Sequence, residues 1–435
     1  MKEMLLTQKN RLRLRDEERR LVTAMSWHAA RLYNVGLYSV RQFFFLNHQS
    51  LPYTQNYHQC KDNENYKLLL TDTGQQILRL VERNMKSFFA LLGMKQAGHY
   101  AEEVNLPRYK KKEAYGLVAI QGRSARIIDG WVHIGFSKAF REKYQPQIHC
   151  LKFKLPDHIQ VKRLQEVRLL PVANGQEFDI EFVYKKRVTQ TPGLDPAKHL
   201  SIDLGLDNFA SCFASTDGSS FVLDGRYLKS INQRYNKENA RLQSIKDLQG
   251  IKFTTRRMLN LSRRRGYRLN DYFNRAVKYI TDQCLSKGIG TLVVGDFSDI
   301  KRDIQLGKRT NQNFVQIPYG LFRQKLQSKC EQEGIAYHAM EESHTSKCSF
   351  LDSEPICHQE QYLGRRIKRG LFKTRAGRLV NADVNGAANI LAKFLARTDR
   401  LAELIRERVV PGFVTNPARV KFKTLLASSS KSSGL

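Results

Sequence analysis

Two aspartates stand where carboxylates are usually avoided. Asp203 lies in SIDLGLDNFA (201–210), among Ile202, Leu204 and Leu206 and just before Gly205. A carboxylate buried at the start of an apolar strand must be hydrogen-bonded, paired or bound to a cation, because an isolated buried charge is costly. Asp383 lies in NADVNGAANI (381–390), where Gly386 and the alanines allow a helix to approach a sheet closely. Divalent cations held by a few such acids can hydrolyse phosphodiesters. Two Mg²⁺ ions about 4 Å apart stabilise the attacking and leaving oxygens together, and Mg²⁺ prefers hard oxygen ligands. Each aspartate alone also has a plainer reading. Asp203 could be a hydrogen-bonded turn residue, and Asp383 a first-turn residue favoured by the helix dipole.

Three further acids lie at strand ends. TLVVGDFSDI (291–300) ends an apolar run with Gly295 and Asp296, and AYHAMEESHTSK carries Glu341 and Glu342 at the end of another. In so basic a chain, these glutamates could simply pair with nearby Lys and Arg. The segment that follows holds Cys348, Cys357 and His358, spaced C-x₈-C-H. That is three ligands at most, two of them adjacent, whereas structural zinc takes four, typically paired as C-x₂₋₄-C. Zinc is therefore not expected.

Positioning these residues requires several elements. Residues 7–15 alternate as a strand, and a helical stretch begins at Asp16. Residues 73–93 form the clearest helix, with Ile77, Leu78, Val81, Met85, Phe88 and Leu92 in one apolar stripe and Gly93 placed as C-cap. Residues 115–186 read as short strands, with Asp129-Gly130 and Asn174-Gly175 as hairpin turns, and suggest a small barrel. Residues 189–199 read as a linker. After it come strand, turn, strand, then helices over 226–288, the strand ending at Gly295, a helix over 314–333, a strand over 334–340 and a last helix over 381–397. Such alternation argues an α/β domain around a central sheet, and the end of the chain reads as disordered.

Composition narrows the partners. The 435 residues imply two or three domains. A formal net charge of +32 is the footprint of a protein that neutralises many phosphates. There is no long apolar run and no signal-like start, so no membrane is expected. Seven scattered cysteines fit free thiols in a reducing cytosol. The charge is clustered. Residues 252–268 carry seven basic residues, Arg256, Arg257, Arg263, Arg264 and Arg265 among them, and no acid. Residues 364–378 likewise carry seven, including Arg365, Arg366, Lys368 and Arg369. Arg108, Tyr109 and Lys110 mix an aromatic with cations. All are candidate phosphate contacts, which position a nucleic acid without reading its sequence.

Taken together and in this order, the two aspartate motifs resemble the RuvC-like nuclease core of transposon-encoded TnpB proteins, relatives of type V CRISPR effectors. The wording of 311–326, 341–350 and 364–372 is similar as well, and the resemblance runs over nearly the whole chain. It implies an α/β multi-domain protein. A wedge β-barrel (1–15 and 105–190) is interrupted by a helical recognition domain (16–104). A RuvC-like RNase H-fold domain follows (198–404), with a degenerate zinc-finger-like insertion (343–380) and a C-terminal tail (405–435). It also implies an Mg²⁺-dependent endonuclease in the prokaryotic cytosol, one monomer per guide RNA. The guide RNA, derived from the transposon end, would direct it to double-stranded DNA beside a short adjacent motif.

The family's metal set is Asp, Glu, Asp, and its glutamate falls where this chain has Gly295. Asp296 or Asp299 could substitute; the site could be dead, leaving a guided binding protein; or the carboxylate could come from the neighbouring strand, as in a subgroup with the same glycine and E-E-S wording. The set expected here is Asp203, Glu342 and Asp383, with Glu341 and Asp296 as alternates. A generic basic RNA-binding protein would explain the charge but not the two motifs. A DDE transposase would share the fold but not the wording.

Overall fold

The computed structural model describes residues 2–188, 191–296, 316–397 and 416–430. Asp299, residues 311–315 and parts of the expected tail (405–415 and 431–435) lie outside them. The chain folds as two compact units, residues 3–187 in one and 188–435, with Lys2, in the other.

The first unit runs β1 (Lys2–Arg11), α1 (Asp16–Asn47), α2 (Tyr53–Cys60), α3 (Glu64–Lys67), α4 (Thr71–Gln96), β2 (Val118–Gln121), β3 (Ala125–Ile128), β4 (Trp131–Ile134), α5 (Lys138–Tyr144), β5 (Leu151–Lys154), β6 (Glu166–Val172) and β7 (Glu177–Val188). Its strands form two sheets, ordered β1-β7-β6-β2 and β3-β4-β5. The hairpin turns fall where expected, with Asp129 and Gly130 both at positive φ (48° and 75°), as a two-residue hairpin loop requires. The expected stripe of α4 is buried from Ile77 to Phe88. The helix does not stop at Gly93, however. It continues to Gln96, and Gly98 takes the left-handed position at φ 75°.

The second unit runs β8 (Asp195–Leu204), β9 (Asn208–Ala214), β10 (Ser220–Asp224), α6 (Arg226–Leu248), α7 (Arg256–Ser286), β11 (Ile289–Asp296), α8 (Tyr319–Glu333), β12 (Ala336–Glu341), β13 (Arg365–Lys368), β14 (Leu371–Lys373), β15 (Leu379–Asn381), α9 (Ala382–Arg397), β16 (Ala418–Val420) and α10 (Phe422–Ser430). Six strands form one sheet in the order β12-β11-β8-β9-β10-β16. Strands β8, β9 and β10 are antiparallel neighbours, while β11 is parallel to β8 and β12 to β11, as in an RNase H fold. Alternation along the strands sends Leu292 and Val294 to a core shared with Leu269, Tyr272, Phe273 and Ile280 of α7. It sends Val293 to the opposite core, shared with Val384, Ala387, Ala388 and Leu391 of α9. Burying each large apolar side chain contributes roughly 1.5–3 kcal/mol.

Two expectations change here. The linker read over 189–199 is half strand, because β8 begins at Asp195. Its Pro196, which has no N–H to donate, falls at a register shift between Ile289 and Thr291 of β11. Part of the expected tail is also structured. β16 pairs in parallel with β10, Leu425 is fully buried, and Phe422 stacks on Tyr227 with ring centroids 4.0 Å apart. The polar and serine-rich sequence around these anchors masks them.

Candidate active site

Strand register decides which acids can meet. Val293 pairs with Ser201, and Val294 with Ile202, so the register carries Asp203 beside Gly295. Gly295 in turn pairs with Met340, and Asp296 with Glu341. Side chains alternate, so Asp203, Gly295, Met340 and the residue two beyond Met340, Glu342, share the α9 face. Asp296 points to the other face, towards Arg323 of α8, whereas Glu341, the last residue of β12, is reached by Lys393 of α9.

The glycine at 295 makes this arrangement possible. A Cβ built on Gly295 would lie 1.8 Å from Oε1 of Glu342 and 2.7 Å from its Cδ. The Glu342 carboxylate thus fills the volume that a side chain at 295 would need. Gly386 serves Asp203 similarly, since a Cβ there would lie 2.6 Å from Asp203 Oδ2. Helix α9 is seated on the sheet beside it by the Ser201 hydroxyl, which donates to the Ala387 carbonyl at 2.6 Å.

The electrostatics of the cluster are those of acids crowded in low dielectric. Burial pushes the Asp203 carboxyl well above its ordinary range, Glu342 and Asp383 push the same way, and Arg366 opposes them. Burial, with Asp296 adding, pushes Glu342 up to about 7 against the pull of Arg323. Among the described residues, Oε1 of Glu342 is buried with no hydrogen-bond partner, as is the hydroxyl of Ser211, the register partner of Asp203. Asp383 is engaged on both oxygens: Arg366 Nη2 donates to Oδ1 at 2.9 Å, and Asn208 Nδ2 to Oδ2 at 2.6 Å.

The alternates are committed elsewhere. Asp296 accepts two hydrogen bonds from Arg323, at 2.5 and 2.9 Å. Glu341 accepts from Lys393 Nζ, and from the backbone and hydroxyl of Ser343, at 2.5–2.7 Å. Burial would raise its carboxyl, but those donors outweigh burial and hold it at about 2.

Orphaned oxygens beside mutually repelling acids fit hard divalent cations, which would take Asp203, Glu342 and Asp383 as ligands. In the arrangement described, no three His, Cys, Asp or Glu side chains stand together in metal-holding geometry among the described residues.

Residues 181–301 match the OrfB_IS605 family, described as a probable transposase, and residues 319–390 match the Cas12f1-like TNB domain. The TnpB-like protein ORF457 of Acidianus two-tailed virus is 23% identical over 392 residues, covering 84% of this chain and 81% of that protein. The second unit thus carries stretches similar to the OrfB_IS605 and Cas12f1-like families, and the chain is similar to a TnpB-like protein over most of its length. The CRISPR-associated endodeoxyribonuclease Cas12f1 of Sulfoacidibacillus thermotolerans is 35% identical over 122 residues, 27% of this chain and 25% of that protein. A cryo-EM structure of a Cas12f1–sgRNA–target DNA complex matches with a TM-score of 0.59 at 14% identity, over 86% of this chain and 82% of that one. That likeness is one of fold.

The basic candidates divide by environment. Arg256, Arg257 and Arg264 of α7 are exposed. Arg257 and Arg264 line a cavity of about 650 Å³ with Arg234, Lys237 and Arg241 of α6. Arg263 donates to the Tyr267 hydroxyl at 3.2 Å. Arg265 instead turns inward, donating to Asn232 and to the Gln316 carbonyl at 2.7 and 2.6 Å. Arg365, Arg366, Lys368 and Arg369 are exposed on β13 and the turn after it, and Arg369 pairs with Asp207. In the other unit, Arg108, Tyr109 and Lys110 are exposed. The Tyr109 ring lies under Arg41, and the Lys110 backbone is bonded both ways to Asn34. Among the described residues no helix is long and apolar enough to cross a membrane.

The cysteine region is held by other groups. Cys348 Sγ donates to the Pro355 carbonyl at 3.4 Å, while Cys357 is exposed and accepts from Gln359. The His358 ring lies edge-on to His344. Two asparagines one turn apart on α9 clamp this segment. Asn385 donates to the Cys348 carbonyl and accepts from Phe350, and Asn389 donates to the carbonyls of Thr345 and Cys348. Sequence reasoning missed Asn208, Asn385 and Asn389, although all three lie inside the quoted motifs.

Proposed function

We propose that this chain is an intracellular RNA-guided DNA endonuclease of transposon origin, cutting both strands at one site with Mg²⁺. A guide RNA from the transposon end would select DNA by pairing, next to a short adjacent motif that the protein reads. The observation that carries this reading is the Glu342 carboxylate occupying the side-chain volume of Gly295 opposite Asp203. That placement supports a relocated glutamate beside Asp203, and Asp383 would complete the set once a metal draws it from Arg366 and Asn208.

Bound Mg²⁺ would supply the charge that stabilises the attacking and leaving oxygens. Asp203 and Glu342 would bind it from the sheet and Asp383 from the first turn of α9. Gly295 and Gly386 provide the room those carboxylates need. The exposed cations of α6, α7 and β13 would hold the phosphate backbone.

A second reading, a guided binder without nuclease activity, draws on one observation: Asp383 is engaged by Arg366 and Asn208. Purifying the protein with co-expressed RNA, then adding Mg²⁺ and guide-matched DNA, separates the two. Cleavage lost on Asp203→Asn supports the endonuclease; binding without cutting, at any Mg²⁺ concentration, supports the binder. Random cutting by RNA-free protein would argue against guidance.

A further inference from the structure

We propose that Asn208 and Arg419 form a relay that positions the Asp383 carboxylate, which makes strand β16 a working part of the site. The inference rests on Asp383 being a metal ligand, as in the reading above. Asn208 opens β9 and is 8% exposed. Its Nδ2 donates to Asp383 Oδ2 at 2.6 Å, and its Oδ1 accepts from Arg419 Nη2 at 2.9 Å. Arg419 is delivered by the parallel pairing of β16 with β10, in which it faces Val222. Its guanidinium also lies 3.7 Å from Asp224, the register partner of Asn208.

The chemistry of the three groups makes the order directional. Arginine only donates, and an ionised carboxylate only accepts. An asparagine amide between them can satisfy both in one orientation alone, with its oxygen towards Arg419 and its N–H towards Asp383. Without the arginine, the amide can turn and present its oxygen to the carboxylate, which repels it. Arg419 thus fixes the amide and the amide fixes the Asp383 oxygen. Groups that orient metal ligands in this way typically change metal affinity by about 10–100-fold when removed.

The test is Mn²⁺ binding to the full chain, read by electron paramagnetic resonance of free Mn²⁺, with thermal unfolding as the check on folding. Asn208→Ala and Arg419→Gln should each weaken binding by about tenfold or more. Arg419→Lys, still a pure donor, should stay within about threefold of the parent. Adding Arg419→Gln to Asn208→Ala should cost nothing further, because the relay is already broken. Parent-like affinity in Arg419→Gln would overturn the relay. So would a loss on Arg419→Gln that persists in full in the Asn208→Ala background, since the arginine would then act without the amide. If Arg419→Gln does not fold, Arg419→Lys and Asn208→Ala carry the same test: the lysine variant must bind like the parent, and the alanine variant must not. A parent chain that binds no Mn²⁺ would overturn the nuclease reading itself, a result separate from failure of the relay alone.

Discussion

Two neighbouring regions of the second unit carry carboxylate, cysteine or histidine side chains, and they treat their polar groups in opposite ways. Around Asp203 and Glu342, acids crowd one another, burial raises both carboxyls, and an oxygen of Glu342 is buried without a partner. Across 343–381, polar groups satisfy each other. Glu354, 3% exposed, accepts from the backbone N–H groups of Ser349 and Leu363 at 2.6 and 2.8 Å. Asp352 accepts from the Ser349 hydroxyl and the Arg375 backbone at 2.6 and 2.7 Å. A folded chain keeps a buried unpaired oxygen only at a cost of about 1–3 kcal/mol, so such an oxygen points to a partner from outside the chain. The satisfied network calls for none.

The most severe way to break this contrast is at the acids. Asp203→Asn and Glu342→Gln should each lower guided DNA cleavage by about 100-fold or more, since each removes a ligand from a site whose work is charge stabilisation. RNA co-purification should be unchanged. Parent-like cleavage by Glu342→Gln would remove the relocated glutamate from the mechanism.

Exchange of the two positions sharpens it further. Gly295→Ala alone should reduce cleavage by about tenfold or more, because its Cβ would collide with the Glu342 carboxylate. Combined with Glu342→Gly, the same position becomes open. Gly295→Glu with Glu342→Gly should then recover cleavage that Glu342→Gly alone lacks. A double variant no better than the single one would mean that the two positions do not share one volume.

Stability should move in opposite directions in the two regions. Measured by thermal unfolding in EDTA, Glu342→Gln should stabilise the metal-free protein by about 1–2 kcal/mol, because it removes a crowded buried acid. Glu354→Ala should destabilise it by about 1–3 kcal/mol, because the buried N–H of Ser349 and the part-buried N–H of Leu363 lose their acceptor. Equal signs for the two would erase the distinction drawn between the regions.

How much of this was readable from the sequence differs by feature. Strand parity needs only local pattern, so it was readable that only one of Glu341 and Glu342 can face the metals, but not which one, and Asp203 and Asp383 stood out because acids in apolar or small-residue settings are unusual. What escaped were contacts made across long sequence separations. Asn208 and Arg419 lie 211 positions apart, and Asn385 and Asn389 gain meaning only when α9 meets the loop after β12. Strand β16 was hidden because three residues at a sheet edge carry no periodicity. Pro196 looked like a linker residue because a register shift that accommodates it is visible only in the partner strand.

The smallest expected effect lies at the border between the two regions. Glu341 is adjacent to Glu342, yet its oxygens are taken up by Lys393 and Ser343. Its side chain is 43% exposed, and such pairs contribute about 0–1 kcal/mol. It belongs by its contacts with the satisfied network, although by sequence it sits beside the cluster. Glu341→Gln should therefore leave cleavage within about threefold of the parent. A loss as large as that of Glu342→Gln would place Glu341 among the metal ligands. The border would then fall after the two glutamates instead of between them, and strand parity would have failed at the one place where the fold needs it most.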